Sequence, residues 1–102
     1  DERYFIRPPR SFREFMNEGN YLGHCVASNN YHKGHIPGKS LIFFLRRVSD
    51  PDTPFYTVEL EPRELHIRQC YGHNHVRATP EVDAFVGDWL AYCEKDSRVQ
   101  AA

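Results

Sequence analysis

Apolar residues recur at helical spacing in two segments, one near each end of the chain. In the first segment, Ser11 and Glu14 have the spacing of a capping box, in which each side chain can accept a hydrogen bond from a free backbone N–H group. Phe12 and Phe15 then follow at the spacing of one helix face. The pattern predicts a helix over about residues 11–22.

In the second segment, Thr79 precedes Pro80, and this order is typical of a helix N-cap followed by the first helical residue. One apolar stripe continues along the predicted helix and consists of Val82, Phe85, Val86, Trp89, Leu90 and Cys93. This stripe predicts an amphipathic helix that covers the core. If Trp89 is buried, replacing it with alanine costs roughly 3–5 kcal/mol.

Three segments between the helices have the patterns of β-strands. Residues 40–48 form a short aromatic and aliphatic run, and residues 55–60 alternate between apolar and polar side chains. Residues 64–71 alternate as well, and a regular alternation places Gln69 on the same face as Ile67. Three consecutive strands with short connections predict an antiparallel meander.

The polar segments set the expected boundaries. Residues 27–39 are rich in Asn and Gly and predict a long exposed loop. Residues 1–10 contain two prolines and predict an extended lead-in, residues 11–96 a single domain, and residues 97–102 a C-terminal tail. The predicted fold is therefore α+β: an N-terminal helix, a long loop, a three-stranded antiparallel meander and a C-terminal amphipathic helix.

Composition narrows the class of protein. The 102 residues are 40% hydrophobic and 14% aromatic, which suits one folded core. The net charge of −1 provides no overall attraction to nucleic acid or to an anionic membrane, so such binding requires a local patch. The three cysteines form no CxxC pair, and no apolar run reaches the about 20 residues of a membrane helix. These features predict a cytoplasmic protein with reduced thiols and no membrane contact.

Several segments resemble one known family. They read, in chain order, NEGNYLGHCVASNNY, GKSLIFFLR, PFYTVEL, IRQCYGHNH and ATPEVDAFVGDWL. In these segments the chain is similar to the PcfJ-like protein family. The resemblance implies a setting in conjugative plasmids, phages and other mobile genetic elements, and it implies no particular activity.

Four polar residues form the candidate catalytic cluster, namely His24, Gln69, Tyr71 and Asn74. His24 lies where the first helix is expected to end, and a histidine there can act as an acid, a base or a donor. Gln69 on an apolar strand face requires either a partner or a cleft, since burying it unpaired costs about 1–3 kcal/mol. We therefore expect His24, Gln69 and Asn74 to line one concavity. The alternative is structural: His24 caps the helix, and nearby backbone satisfies Gln69.

Tyr31, Arg46 and Arg68 are the candidate substrate-binding residues, since arginines hold phosphates and aromatic rings stack on bases. The alternative is that these charges are merely solvated.

Cys70, His73 and His75 are donor types that zinc prefers, but their spacing matches no structural zinc pattern. We therefore predict no metal site and no cofactor.

Two classes of function remain open. The first is a small metal-independent enzyme acting on RNA or another phosphate-containing substrate, by analogy with compact ribonuclease toxins. The second is a noncatalytic module that binds a peptide or nucleic acid and is associated with conjugation or phage proteins. The expected partners are an RNA or nucleotide ligand and a protein from the same mobile element.

Overall fold

An antiparallel sheet of four strands lies at the centre of the fold. The structure, a computed structural model, describes residues 3–22 and 40–95. In chain order its elements are β1 (Tyr4–Arg7), α1 (Phe12–Leu22), β2 (Leu41–Arg47), β3 (Tyr56–Glu61), β4 (His66–Tyr71), a 3-10 turn (His73–His75) and α2 (Pro80–Lys95). The strands are adjacent in chain order. The α+β class and the antiparallel pairing of the three predicted strands are confirmed.

The prediction of a three-stranded sheet was wrong by one strand, because part of the expected lead-in is β1. Tyr4 lies opposite Arg47 and Ile6 opposite Leu45. Tyr4 and Ile6 also pack against the apolar core. The two prolines that follow β1 end the strand without preventing it, since a proline is tolerated at a sheet edge. The YFI run was the sequence signal for this strand.

Each face of the sheet is covered by one helix. On β2, Ile42 and Phe44 point to one face and cluster with Phe15 of α1. Leu45 points to the opposite face and clusters with Val82 of α2. Because both faces are covered, all six residues of β3 are buried, including the polar ones. The sheet therefore separates an α1 face from an α2 face.

The predicted start of α1 is confirmed, except that the Glu14 side chain accepts from the residue before Ser11. Ser11 Oγ accepts a hydrogen bond from the Glu14 N–H group at 3.0 Å. Glu14 accepts from the Arg10 N–H group at 2.7 Å and pairs with both terminal nitrogens of Arg7. The Arg7 hydrogen bond lowers the pKa of Glu14 to about 2. Glu14 therefore joins α1 to β1 as well as ordering the first helical turn.

The predicted start of α2 is confirmed as well. Thr79 Oγ1 accepts from the Val82 N–H group at 3.2 Å, and Pro80 is the first helical residue. Val82, Val86 and Cys93 are buried along one side. Within the part of the chain that the structure describes, no helix has both the length and the apolar character needed to cross a membrane.

Replacing Trp89 with alanine is expected to lower the free energy of unfolding by about 2–3 kcal/mol, below the range for a fully buried tryptophan. The reason is that Trp89 is only partly buried and contacts Phe43 edge to face, with ring centroids 4.9 Å apart. Urea denaturation followed by circular dichroism measures this effect. Tyr92→Ala is the matched control, because Tyr92 lies exposed on the same helix. Equal midpoints for the two variants would contradict the packing of α2 on β2.

A bulge in β4 corrects the predicted alternation of that strand. Glu59 pairs with Gln69, but the next residue, Leu60, pairs with Ile67, so Arg68 is an extra residue. Ile67 consequently packs with Cys70 against the α2-side core, whereas Gln69 faces the α1 side. The prediction that Gln69 and Ile67 share a face was wrong, because one inserted residue reverses the direction of every following side chain.

Candidate functional site

The predicted site residues are only partly brought together. Gln69 and Tyr71 lie on the α1 face, opposite Glu59 and Thr57 of β3, and both are half-buried. Asn74 is exposed in the 3-10 turn, and Arg68 is exposed at the bulge. His24 and Tyr31 lie outside the described residues. The shared concavity of His24, Gln69 and Asn74 stays a prediction.

A buried ion pair occupies the α1 face of the sheet. Arg46 Nη2 donates to Glu18 Oε1 at 2.7 Å, and Arg46 Nη1 donates to Glu18 Oε2 at 3.1 Å. Thr57 Oγ1 donates to the same carboxylate at 3.1 Å. The side chains of Arg46 and Glu18 are 3% and 0% exposed. Arg46, predicted as a substrate-binding residue, is thus held in the interior by Glu18.

The pattern of the sequence did not single out Glu18, although its position contained a signal. Glu18 lies three residues after Phe15 and four before Leu22, so it belongs to the buried stripe of α1. Burial raises the pKa of Glu18, against the effect of the hydrogen bonds from Arg46 and Thr57. The network therefore holds α1 to the sheet and supplies no exposed acid.

A second polar contact lies on the same face. Ser40 Oγ donates to Glu59 Oε2 at 2.7 Å. Glu59 Oε1 is buried without a hydrogen-bond partner among the described residues. Gln69 is the cross-strand neighbour of Glu59, so the amide lies beside a polar side chain. Glu59 Oε1 nevertheless accepts no hydrogen bond from the Gln69 amide, so the structural and the functional interpretations of Gln69 both stay predictions.

Gly72 and Asn74 both follow β4, and a different feature of the backbone accounts for the residue type at each position. Gly72 has φ −95°, a value that any residue can adopt, so its backbone conformation does not call for glycine. A Cβ there would lie 3.1 Å from the ring of Tyr56 and 3.2 Å from the Phe55 carbonyl oxygen. These contacts are tighter than usual for a Cβ atom, so glycine is favoured where the chain passes close to that ring. Asn74 instead adopts the left-handed conformation, with φ 53°, which asparagine tolerates better than most residues.

The C-terminal ends of α1 and β4 lie close together at one end of the sheet, where the strands begin or terminate. Between them lies a depression of about 340 Å³, which we call the helix-end depression. Its wall includes Tyr21, Leu22, Arg47, Phe55, Gly72 and His73. Gln69 and Asn74 do not line this depression.

Arg47 lines the helix-end depression, and it is not among the predicted substrate-binding residues. Its guanidinium carbon lies 4.4 Å from the centroid of the Phe55 ring. Its Nε is buried without a hydrogen-bond partner in the described ranges, and none of the ion pairs found there involves it. Arg46 and Arg47 are neighbours on a strand, so one side chain points to each face. Only the packing decides which of the two is paired.

The thiol of Cys70 is poorly suited to bind metal or to act as a nucleophile. It packs towards the α2-side core. Burial and, to a lesser extent, the charge of Asp83 raise its pKa to about 12. Across residues 3–22 and 40–95, no group of three or more His, Cys, Asp or Glu side chains is arranged to hold a metal ion.

Comparison with known proteins places the chain in a family. Residues 1–86 match the family model described as PcfJ-like protein. The chain is 29% identical over 98 residues to the uncharacterized protein Lin1253/Lin1744 of Listeria innocua, and this alignment covers 96% of the chain. It covers 21% of the relative, so the chain spans about a fifth of that protein's length. No solved structure gives a significant match. Because the family match covers residues 1–86 of 102, the chain belongs to the PcfJ-like protein family.

Proposed function

We propose that this domain binds RNA or another phosphate-containing ligand at the helix-end depression. The observation that carries the proposal concerns Arg47, which lines the depression; its guanidinium lies over the Phe55 ring and takes part in none of the ion pairs found among the described residues. A planar guanidinium presents paired donors that match two phosphate oxygens. Contact with the ring orders the side chain in advance, which lowers the entropy lost on binding.

The remaining wall of the depression suits a nucleotide. Tyr21, at its mouth, is 56% exposed and can stack on a base. His73 contributes a ring whose nitrogen can donate a hydrogen bond. The volume of about 340 Å³ lies within the range of about 300–1,000 Å³ that is usual for small-ligand sites. The net charge of −1 means that this local patch must supply the electrostatic attraction.

Catalysis is the second candidate, and one observation favours it: His73 lines the same depression as Arg47. A histidine beside a phosphate can transfer a proton, and an arginine can stabilise the charge that develops on the phosphate. RNA cleavage without metal requires a second acid or base, for which His24 is the sequence-based candidate. Binding without turnover needs only the groups that already line the depression, and it is therefore the first proposal.

The setting of the domain is also a proposal. The family resemblance supports a role beside conjugation or phage proteins in the cytoplasm, with a protein from the same mobile element as a further partner. The noncatalytic alternative includes a peptide ligand. Arg47 favours a phosphate-containing ligand over an uncharged peptide, because the guanidinium has no internal counter-charge within the described part of the chain.

Arg47→Gln is expected to weaken binding of a fluorescently labelled single-stranded RNA about 10- to 100-fold, because one hydrogen-bonded charge contact is lost. Fluorescence anisotropy at low salt measures the dissociation constant. Arg63→Gln is the matched control, since it removes the same charge from an exposed residue in the turn after β3, at the opposite end of the sheet.

The two variants must retain the wild-type denaturation midpoint for the comparison to report on binding. Wild-type affinity in the Arg47→Gln variant would contradict the site, and the absence of RNA or nucleotide binding by the wild type would contradict the function. Gel analysis of the bound RNA separates the two candidates. Cleavage that His73→Ala abolishes without weakening binding would favour the enzyme.

A further inference from the structure

A second depression shares Arg47 with the helix-end depression. Its wall is formed by Arg3, Tyr4, Arg47, Val48 and Ser49, and its volume is about 360 Å³. We call it the strand-start depression. It lies at the same end of the sheet, where β1 begins and β2 ends. Arg47 therefore stands between two neighbouring depressions and forms part of the wall of each.

The pairing of β1 with β2 places the groups of this second depression. Tyr4 is the cross-strand partner of Arg47, and the Arg3 carbonyl oxygen accepts from the Val48 N–H group at 2.8 Å. The Tyr4 ring stacks on Phe55, with centroids 5.9 Å apart, and Phe55 also lies beneath the Arg47 guanidinium. One aromatic platform thus supports the wall common to both depressions.

Arg3 provides a second cationic group beside Arg47. Its side chain is 62% exposed and pairs at 2.6 Å with Glu81, whose side chain is 46% exposed. Glu81 also accepts a hydrogen bond from the Tyr4 hydroxyl group. An exposed ion pair contributes little to stability, so Arg3 can exchange Glu81 for a phosphate at small cost. The hydroxyl group of exposed Ser49 is a further donor at this position.

We infer that the ligand is a single-stranded oligonucleotide that crosses both depressions, with successive phosphates at Arg47 and Arg3. This inference rests on the proposed function of the helix-end depression and names the class of ligand more narrowly. A mononucleotide would fill one depression and leave the other empty. An oligonucleotide has a phosphate for each of the two guanidinium groups. Its bases can pack against the exposed side chains of Tyr21, in the first depression, and Val48, in the second.

The length of the ligand is the direct test. Uridine monophosphate and uridine oligonucleotides of two, four and six residues compete against a labelled hexanucleotide in an anisotropy assay. The affinity is expected to rise at least tenfold between the mononucleotide and the tetranucleotide. Arg3→Gln should remove most of this gain, whereas Arg47→Gln should weaken the binding of the mononucleotide as well as that of the tetranucleotide. Arg3→Gln should also reduce the slope of log affinity against log salt by about 1.

Glu81→Gln and Arg63→Gln complete the design. Glu81→Gln removes the negative charge that pairs with Arg3, so this variant should bind the tetranucleotide more tightly and the mononucleotide as the wild type does. Arg63→Gln should bind every ligand as the wild type does. A mononucleotide that competes as well as the hexanucleotide would overturn the two-depression site and leave the proposed function intact. Failure of all of these ligands to bind would overturn both.

Discussion

Arg46→Ala is expected to lower the free energy of unfolding by about 3–5 kcal/mol at neutral pH. The substitution leaves the Glu18 carboxylate fully buried, with the Thr57 hydroxyl group as its remaining hydrogen-bond donor among the described residues. Urea denaturation followed by circular dichroism measures the loss. Arg63→Ala is the matched control, because it shortens an exposed arginine and is expected to change stability by less than about 0.5 kcal/mol.

The pH dependence of this variant provides an independent check. Burial already raises the pKa of Glu18, and loss of Arg46 raises it further. Between the unfolded and folded pKa values the folded state then binds more protons, so stability falls as pH rises through that window. The cost of Arg46→Ala should therefore shrink as the pH approaches the ordinary pKa of a glutamate. A cost that does not vary with pH would show that lost packing, rather than the unpaired carboxylate, causes it.

The double variant Glu18→Leu/Arg46→Met tests whether the ion pair itself stabilises the fold. The alternative is that only the removal of one partner is costly, because it leaves the other charge buried and unpaired. Replacing a buried ion pair with apolar side chains of similar size is often neutral or stabilising. We expect the free energy of unfolding of the double variant to lie within about 1 kcal/mol of the wild-type value or to exceed it. A double variant as unstable as Arg46→Ala would contradict this account.

Phe44→Ala is the other substitution with a large expected effect, about 3–5 kcal/mol of unfolding free energy. Phe44 is 0% exposed and clusters with Phe15 and Ile42 under α1. Its ring also lies 4.8 Å from the guanidinium carbon of Arg46 and 5.4 Å from that of Arg7. The cavity left by alanine therefore weakens both the apolar cluster and its cationic border.

Thermal and urea denaturation of Phe44→Ala should be compared with those of Phe12→Ala. Phe12 has the same side chain but is 57% exposed on α1, so its loss should cost no more than about 1 kcal/mol. Similar losses in the two variants would mean that α1 does not pack on β2 as described.

Local sequence was sufficient for the elements whose signals are contained within a few residues. Ser11 and Thr79 accept the predicted capping hydrogen bonds, and α2 begins at Pro80 as expected. These predictions succeed because a cap depends on a side chain and backbone groups three residues away. The alternation of β3 was also predictable, since Tyr56 and Val58 both join the α2-side core.

The candidate site was less predictable, because its residues depend on distant partners. Regular alternation placed Gln69 with Ile67, but the bulge at Arg68 put the amide on the α1 face. Arg46 and Arg47 are equivalent in the local pattern, and Glu18, 28 residues before Arg46, decides which of them is paired inside.

By itself, the sequence determined the two helices, their N-terminal caps, the strands β2, β3 and β4 and the family, because each of these rests on short patterns or on similarity along the chain. Only the tertiary structure decided that β1 joins the sheet and that Gln69 is the cross-strand partner of Glu59. It also decided that Arg47 lies between two depressions at one end of the sheet. The physical reason is that pairing, register and burial of charge are set by contacts between residues far apart in the chain. A strand pattern fixes that neighbouring side chains point to opposite faces, but only the packed sheet fixes which face is which.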